Sequence, residues 1–389
     1  MQIAEVKLIR PQKPSLDMST LALTRKSIEH AHHVPGDIYA SPEIFALEKE
    51  RIFMKEWLCV GREEEIAKPG DYMTHSVMGE PIVIARNTDG RVNAFYNQCQ
   101  HRGVEVAEGA GNTRRFMCPY HAWTYDLTGQ LVGAQYMEES TGFDLKNCRL
   151  KPVKCETWSG WIYINFDQDA GPLSEVTDFL SEAFGELRQQ DCGLAYKFEL
   201  RLNCNWKLVY ENQLDNYHVG VLHAATVGRH QASTERKFNL FPKGRLSVDY
   251  GSRPTTPDGL SLFGKMPWLD KPDTFARTGF VPPNMTILTR MDMYRPFVHW
   301  PLAVDRTVSY GYFLLPKEKL ADPQLQEKMA VYTEYLEKVL NEDRSMVESL
   351  QRNMLTKGYV PGRFSTKETS LYHMINHHLT ALFGEESGC

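Results

Sequence analysis

The hydrophobic pattern changes period three times along the chain. In "SPEIFALEKERIFMKEW" (41–57) the apolar positions Ile44, Phe45, Leu47, Ile52 and Phe53 recur near helical spacing, behind Ser41 as N-cap and Pro42 in the first turn. This predicts a helix. From about 58 to 167 the texture is one of short alternating strands. "PIVIARNTDGRVNAFYN" breaks at Asp89-Gly90, a strong hairpin signal, "HAWTYDLTGQLVGA" repeats that logic around Gly129, and "GWIYINFD" reads as a further strand. Beyond it the pattern is mixed, predicting helices over 173–190 and 205–220, strands through much of 235–315, and a long helix over 322–355. The expectation is an α+β chain with an all-β unit at 58–167. Residues 1–57 should form an arm and a helix packing on the unit at 168–389, which makes the β unit an insertion.

Composition narrows the class. A chain of 389 residues exceeds one ordinary core, and 42% hydrophobic with 24% charged residues is usual for a soluble globular protein. The net charge of -5 gives no basic footprint for nucleic acid. No stretch approaches the roughly 18 apolar residues of a membrane span, and the Met1 end lacks a signal-peptide pattern. A cytoplasmic address is expected, with no membrane partner. Six of the cysteines (Cys59, Cys148, Cys155, Cys192, Cys204 and Cys389) are scattered without a pairing pattern and read as free thiols.

The other two stand in "CQHRGVEVAEGAGNTRRFMCPYHAW" (99–123), as Cys99-x-His101 and Cys118-x-x-His121. Tetrahedral zinc accepts two thiolates and two imidazoles. A Rieske [2Fe–2S] cluster also takes two of each, the cysteines on one iron and the histidines on the other. The order separates them. Each half runs Cys then His, so each hairpin tip supplies one ligand to each iron, whereas zinc fingers group like with like. Gly103 lets backbone amides approach the cluster, and Pro119 stiffens the second tip. "CQHRG" followed by "CPYHAWTYDLTG" resembles the large (α) subunits of the Rieske non-haem iron oxygenases, the aromatic-ring-hydroxylating type. The resemblance extends from "PEIFALEKERIFMKEW" to "ESLQRNM". It implies an all-β Rieske domain inserted in or preceding an α+β, helix-grip-like catalytic domain with an antiparallel sheet.

Such a cluster needs a destination for its electron. "NCNWKLVYENQLDNYHVGVLHAATVGRH" (203–230) places Asp215 and His218 three apart, on one face of a helix, with His223 following and Gly220 a plausible break. Oxygen-activating iron(II) takes two imidazoles and one carboxylate, leaving positions open for O₂ and water. His218 and His223 supply the imidazoles. Asp215 is a local candidate for the third ligand, but the resemblance favours Asp343 in "LNEDRSMVESLQRNM", four intervening residues before Glu348. It then gives Asp215 another role, bridging His218 and a Rieske histidine. Without that context Glu342, Asp343 and Glu348 would read as a solvated helix face.

The resemblance implies a terminal oxygenase with three cofactor elements: the cluster, a mononuclear Fe(II), and O₂ as cosubstrate. "GAGNTRR" lacks the rest of a dinucleotide fingerprint, so electrons must come from a separate NAD(P)H reductase, with or without a ferredoxin. A homotrimer, with or without a β subunit, is expected to set one subunit's cluster beside the next subunit's iron. Leu240, Phe241, Phe263, Trp268, Met285, Ile287 and Leu288 are candidate pocket residues for a flat ring. "ENQLDNYHVGVLH" resembles oxygenases of aromatic acids, favouring an aromatic carboxylate paired with Arg290 or Arg295. "EDRSMVESLQR" also resembles carnitine and choline oxygenases, a branch with Glu where this chain has Asp215. Demethylation of a methoxy compound is a further outcome of the same site. The rival of another class is a zinc-stabilised, non-catalytic binding protein. His373, His377 and His378 read as a polar helix face.

Overall fold

The computed structural model describes residues 18–384, so the start of the N-terminal arm and Cys389 lie outside the described residues. Two short helices, α1 (Met18–Thr24) and α2 (Asp37–Ala40), lead into α3 (Pro42–Glu48). The Ser41 hydroxyl accepts the Ile44 amide at 3.2 Å, the N-cap expected from sequence. The helix does not run regularly to 57. It widens into a π turn over Lys49–Phe53, which turns both Ile52 and Phe53 into the core.

The next stretch is all β. Strands β1 (Leu58–Arg62), β2 (Asp71–Val77), β3 (Glu80–Arg86), β4 (Val92–Tyr96), β5 (Ala110–Asn112), β6 (Phe116–Met117), β7 (Thr124–Tyr125), β8 (Leu131–Gly133), β9 (Pro152–Trp158) and β10 (Trp161–Asn165) follow in order. They form a seven-stranded sheet ordered β1-β10-β9-β4-β3-β2-β5 and a three-stranded sheet β6-β7-β8. The Asp89-Gly90 turn joins β3 to β4, with Gly90 at φ 86°, and Gly129 (φ 83°) lies between β7 and β8.

The rest is α+β. Helix α4 (Ser174–Phe184) precedes strand β11 (Cys192–Leu202), helix α5 (Trp206–Leu214) and the short α6 (Val219–Leu222). Strands β12 (Gln231–Leu240), β13 (Leu246–Ser252), β14 (Phe275–Val281), β15 (Met285–Arg290), β16 (Tyr294–Ala303) and β17 (Arg306–Pro316) complete an antiparallel sheet ordered β11-β17-β16-β15-β14-β13-β12. The long α7 (Leu325–Asn353) and α8 (Thr369–Phe383) close the chain. None of the described helices is long and apolar enough to cross a membrane.

One apolar core runs from Leu21 to Leu382 and includes residues of both large sheets, among them Trp161, Ile164, Val298 and Tyr312. Each such side chain contributes roughly 1.5–3 kcal/mol by leaving water. The segment before β1 packs on the second sheet's helices. Glu48, fully buried, accepts Lys207 Nζ at 2.5 Å, Trp206 Nε1 at 2.8 Å and pairs with His378 at 3.0 Å. Burial pushes the Glu48 carboxyl up, but Lys207 and His378 outweigh it and hold it well below the usual range. His378 is therefore an internal partner rather than part of an exposed polar face, and His373 bonds the Phe241 carbonyl at 2.9 Å. A separate small core, including Val83, Phe95, Phe116, Trp123 and Tyr125, underlies the tips that carry Cys99 and Cys118.

Candidate metal centres

The two Cys/His tips fold alike. In the first, the Cys99 amide donates to Val104 O and the Gly103 amide to Cys99 O, both at 2.8 Å. In the second, the Cys118 amide donates to Trp123 O at 2.8 Å and the Ala122 amide to Cys118 O at 3.0 Å. Each tip thus closes five residues after its cysteine and turns on a residue with positive φ, Gly103 at 81° and Ala122 at 56°. Both thiols point inward (3% and 2% exposed), while His101 is exposed and His121 half-buried. The imidazole Nδ1 atoms face one another at 3.1 Å. Trp123 stacks on His101 at 4.9 Å, and the Tyr125 hydroxyl lies 3.3 Å from Cys99 Sγ. Burial raises the Cys99 thiol. Two inner thiols and two outer imidazoles with facing Nδ1 atoms suit a two-iron cluster whose irons differ in ligand type.

The second constellation forms where α5 stops. The helix expected over 205–220 is interrupted at Asp215, not at Gly220. Asp215 is extended (φ -76°, ψ 112°) and its carboxylate accepts the Tyr217 amide at 2.6 Å, a turn that competes with helical bonding. Gly220 sits inside α6. Asp215 and His218 meet across this turn, Oδ2 to Nδ1 at 2.9 Å, rather than on one face of a helix. His218, His223 and Asp343 converge, with ligand atoms all within 4.8 Å of one another. Asp343 Oδ1 lies 2.9 Å from His223 Nε2 and 3.5 Å from His218 Nε2.

Both imidazoles are held the same way. Glu342 takes Nδ1 of His223 at 2.6 Å, as Asp215 takes Nδ1 of His218, and Thr226 Oγ1 donates to Glu342 at 2.7 Å. A carboxylate on Nδ1 fixes the tautomer that leaves the Nε2 lone pair for a metal. Burial lowers the His218 pKa, but Asp215 and Asp343 overcome it and raise it to about 9. Burial likewise pushes Asp343 up, and the two imidazoles bring it below its ordinary value. This donor set suits iron(II), with one face open to the cavity.

Sequence reading missed Glu342 and Asn212. The pattern gives Glu342 no role beside Asp343, and Asn212 Nδ2 reaches Asp343 Oδ1 at 3.2 Å from the last turn of α5. Glu348 instead accepts the Asn203 amide at 3.0 Å and stays outside the centre. The cavity over the three converging groups is lined by Val219, Val227, Leu288, Phe297, Leu336 and Leu340, with Arg290 and Arg295 on its strand wall. Of the expected apolar lining only Leu288 is there. Met285 and Ile287 point into the main core, Phe263 stacks on Tyr332, Phe241 packs on Phe179, Trp268 bonds Leu187 O, and Leu240 is 46% exposed. Alternation along β15 explains the split, since it puts Leu288 and Ile287 on opposite faces.

Residues 56–152 match the model of the Rieske [2Fe-2S] domain, and residues 189–382 match that of the ring hydroxylating alpha subunit (catalytic domain). The carnitine monooxygenase oxygenase subunit of Acinetobacter pittii is 31% identical over 341 residues, 84% of this chain and 86% of that protein. The chain belongs to the Rieske oxygenase α subunits. As such it is an oxidoreductase using a [2Fe–2S] cluster, mononuclear iron and O₂, which excludes the zinc-stabilised binding protein. The chloroplastic choline monooxygenase of Arabidopsis thaliana is 28% identical over 375 residues, covering 90% of this Rieske oxygenase and 84% of the relative. A solved quaternary ammonium Rieske monooxygenase, described in terms of carnitine oxidation and inter-subunit electron transfer, superposes with a TM-score of 0.76 at 28% identity. That superposition covers 91% of this chain and 96% of the other. Rieske oxygenases receive electrons from a separate reductase or ferredoxin and act on small molecules.

Proposed function

We propose that this Rieske oxygenase oxidises a quaternary ammonium compound, with His218, His223 and Asp343 holding the mononuclear iron and Cys99, His101, Cys118 and His121 the cluster. The observation that carries the substrate class is likeness along most of the chain to carnitine and choline monooxygenases. This displaces the aromatic carboxylate favoured by local motifs. Asp215 departs from the glutamate of that branch but keeps a carboxylate. A trimethylammonium head spreads its charge over methyl groups, so it wants apolar contact, an aromatic face and diffuse negative potential instead of hydrogen bonds. Val219, Val227, Leu336 and Phe297 provide the first two, and the partly exposed Asp215 the third.

Bound iron would supply insertion of one O₂ atom into a C–H bond beside nitrogen, the other atom leaving as water with two electrons and two protons. The hydroxylated carbon then sheds the amine, giving an aldehyde and a tertiary amine. The chain's part is to orient. Asp215 and Glu342 lock the two imidazoles, Asn212 steadies Asp343, and the apolar walls keep bulk water from the reacting carbon.

We also propose a ring-shaped homotrimer in which Asp215 accepts a bond from His101 or His121 of the next subunit. Apolar side chains exposed at both faces support it: Met117 (61%) and Tyr120 (54%) at the tips, and Tyr217 (57%) and Val221 (83%) beside His218. The substrate class is tested with the purified oxygenase, NADH and a generic reductase, against carnitine, choline, glycine betaine, benzoate and salicylate. Substrate-dependent NADH use with release of trimethylamine or formaldehyde is expected for a quaternary amine. Coupled turnover confined to the aromatic acids would overturn it.

A further inference from the structure

The strand wall of the cavity holds two buried cations, neither of them in an ion pair with a carboxylate among the described residues. Arg290 ends β15 and Arg295 lies at the start of β16, on either side of a tight turn, at 9% and 7% exposure. Both line the cavity that also contains His218, His223 and Asp343. Arg290 Nη1 donates to the Tyr250 hydroxyl at 2.8 Å and to Thr289 O at 3.1 Å, and its guanidinium lies over the Tyr250 ring at 5.2 Å. Nε of Arg290 and Nε of Arg295 are both buried without a hydrogen-bond partner. The nearby acid, Asp292, receives the Tyr332 hydroxyl on Oδ2 at 2.5 Å, and its buried Oδ1 has no hydrogen-bond partner, so it offsets part of the charge of the two arginines without bonding either. Burial and the charge of Arg290 push Arg295 down to about 10.

Two like charges in one buried wall are costly unless a counter-charge joins them. A guanidinium fork with free N–H groups is the natural receptor for a planar or tetrahedral oxyanion. Arg290 is held in place by Tyr250, and Asp292 supplies a single charge against two, so one further anion would complete the pairing. We propose that the substrate carries a carboxylate or sulfonate, bound by Arg290 and Arg295 on the strand wall while its oxidisable carbon faces the helix wall. This rests on the cavity being the substrate site of the proposed oxygenase. For a quaternary ammonium it selects a zwitterion of the betaine or carnitine type over choline, which has a hydroxyl where the acid should be.

The test uses pairs of compounds that differ in the acid alone: carnitine against its methyl ester, glycine betaine against choline, and benzoate against benzamide. Protection of the iron-loaded protein against thermal unfolding measures binding, and NADH-coupled assay gives KM and kcat. The acid of at least one pair should bind better than its neutral partner. Arg295→Gln should raise its KM about 10- to 100-fold with little change in kcat, and Arg295→Lys should recover part of that loss. Cluster absorbance and iron content confirm that each variant folds; Arg290→Gln serves as the second variant if Arg295→Gln does not. Equal binding of acid and neutral partner throughout, or an unchanged KM in a folded variant, would overturn the anion site. Benzoate bound in an arginine-dependent way, with no quaternary amine accepted, would uphold it while removing the quaternary ammonium reading.

Discussion

The tips carrying Cys99 and Cys118 draw all four of their metal-type side chains from one short stretch, over a small core of their own. His218, His223 and Asp343 come from the start of α6, from its end and from α7, and meet because the second sheet and its helices pack. The tips present imidazole to the surface; at the second centre His223 is 2% exposed and faces a cavity. An electron-passing centre benefits from an exposed edge, whereas a centre that activates oxygen benefits from walls. The difference also says that the two should fail independently.

Asp343→Ala and Cys99→Ser break the comparison most severely. Asp343→Ala should lose the mononuclear iron and all coupled turnover, yet keep the visible spectrum of the cluster. Cys99→Ser should bleach that spectrum while retaining the single iron by metal analysis. Loss of both metals in either variant would mean that the centres are structurally coupled. Mixing then asks whether they work across chains. A cluster-dead His101→Ala chain and an iron-dead His218→Ala chain, each inactive, should regain activity when co-assembled. Random pairing around a ring leaves about a quarter of the interfaces competent. Silence in folded, mixed assemblies would sink the inter-subunit reading of Asp215.

Asp215 and Glu342 sharpen the contrast, since each takes Nδ1 of one imidazole at the same centre. Glu342 is bonded within the chain by Thr226, so Glu342→Gln should act on the metal alone and weaken iron retention about 10-fold, the low end for such supporting carboxylates. Asp215→Asn should retain iron better and slow re-oxidation of the reduced cluster by O₂ and substrate. Stopped-flow absorbance separates the two. An Asp215→Asn chain that oxidises its cluster at the wild-type rate would leave Asp215 with a purely supporting role.

The same contrast accounts for what could be read before folding. Cys99, His101, Cys118 and His121 were legible because their order and their turns sit in one window. His218 and His223 needed the first motif as context. Glu342 was not legible, because an acid on an amphipathic helix looks the same whether it meets water or an imidazole brought in from α6. Break points failed for a related reason. Gly220 looked like the helix breaker, but the Asp215 carboxylate capturing the Tyr217 amide ends α5 earlier. The cavity wall failed at Ile287 and Met285 because neighbouring apolar residues on a strand cannot be assigned to a face until register is known.

The smallest expected effect tests whether the two tips are equivalent. Gly103 (φ 81°) and Ala122 (φ 56°) occupy matching places, and only glycine adopts that backbone freely. A Cβ at Gly103 would meet nothing within 4 Å, so Gly103→Ala adds backbone strain alone, roughly 1 kcal/mol. Ala122→Gly removes that strain, but the more flexible unfolded chain takes back about 0.5–1 kcal/mol, so the net gain should stay below about 1 kcal/mol. Urea unfolding followed through bleaching of the cluster should therefore show a small loss for Gly103→Ala and a smaller gain or no change for Ala122→Gly. If Ala122→Gly instead destabilises by more than about 1 kcal/mol, the Ala122 methyl has a packing role that Gly103 has no counterpart for. The two tips would then be alike in hydrogen bonding but not in what holds them.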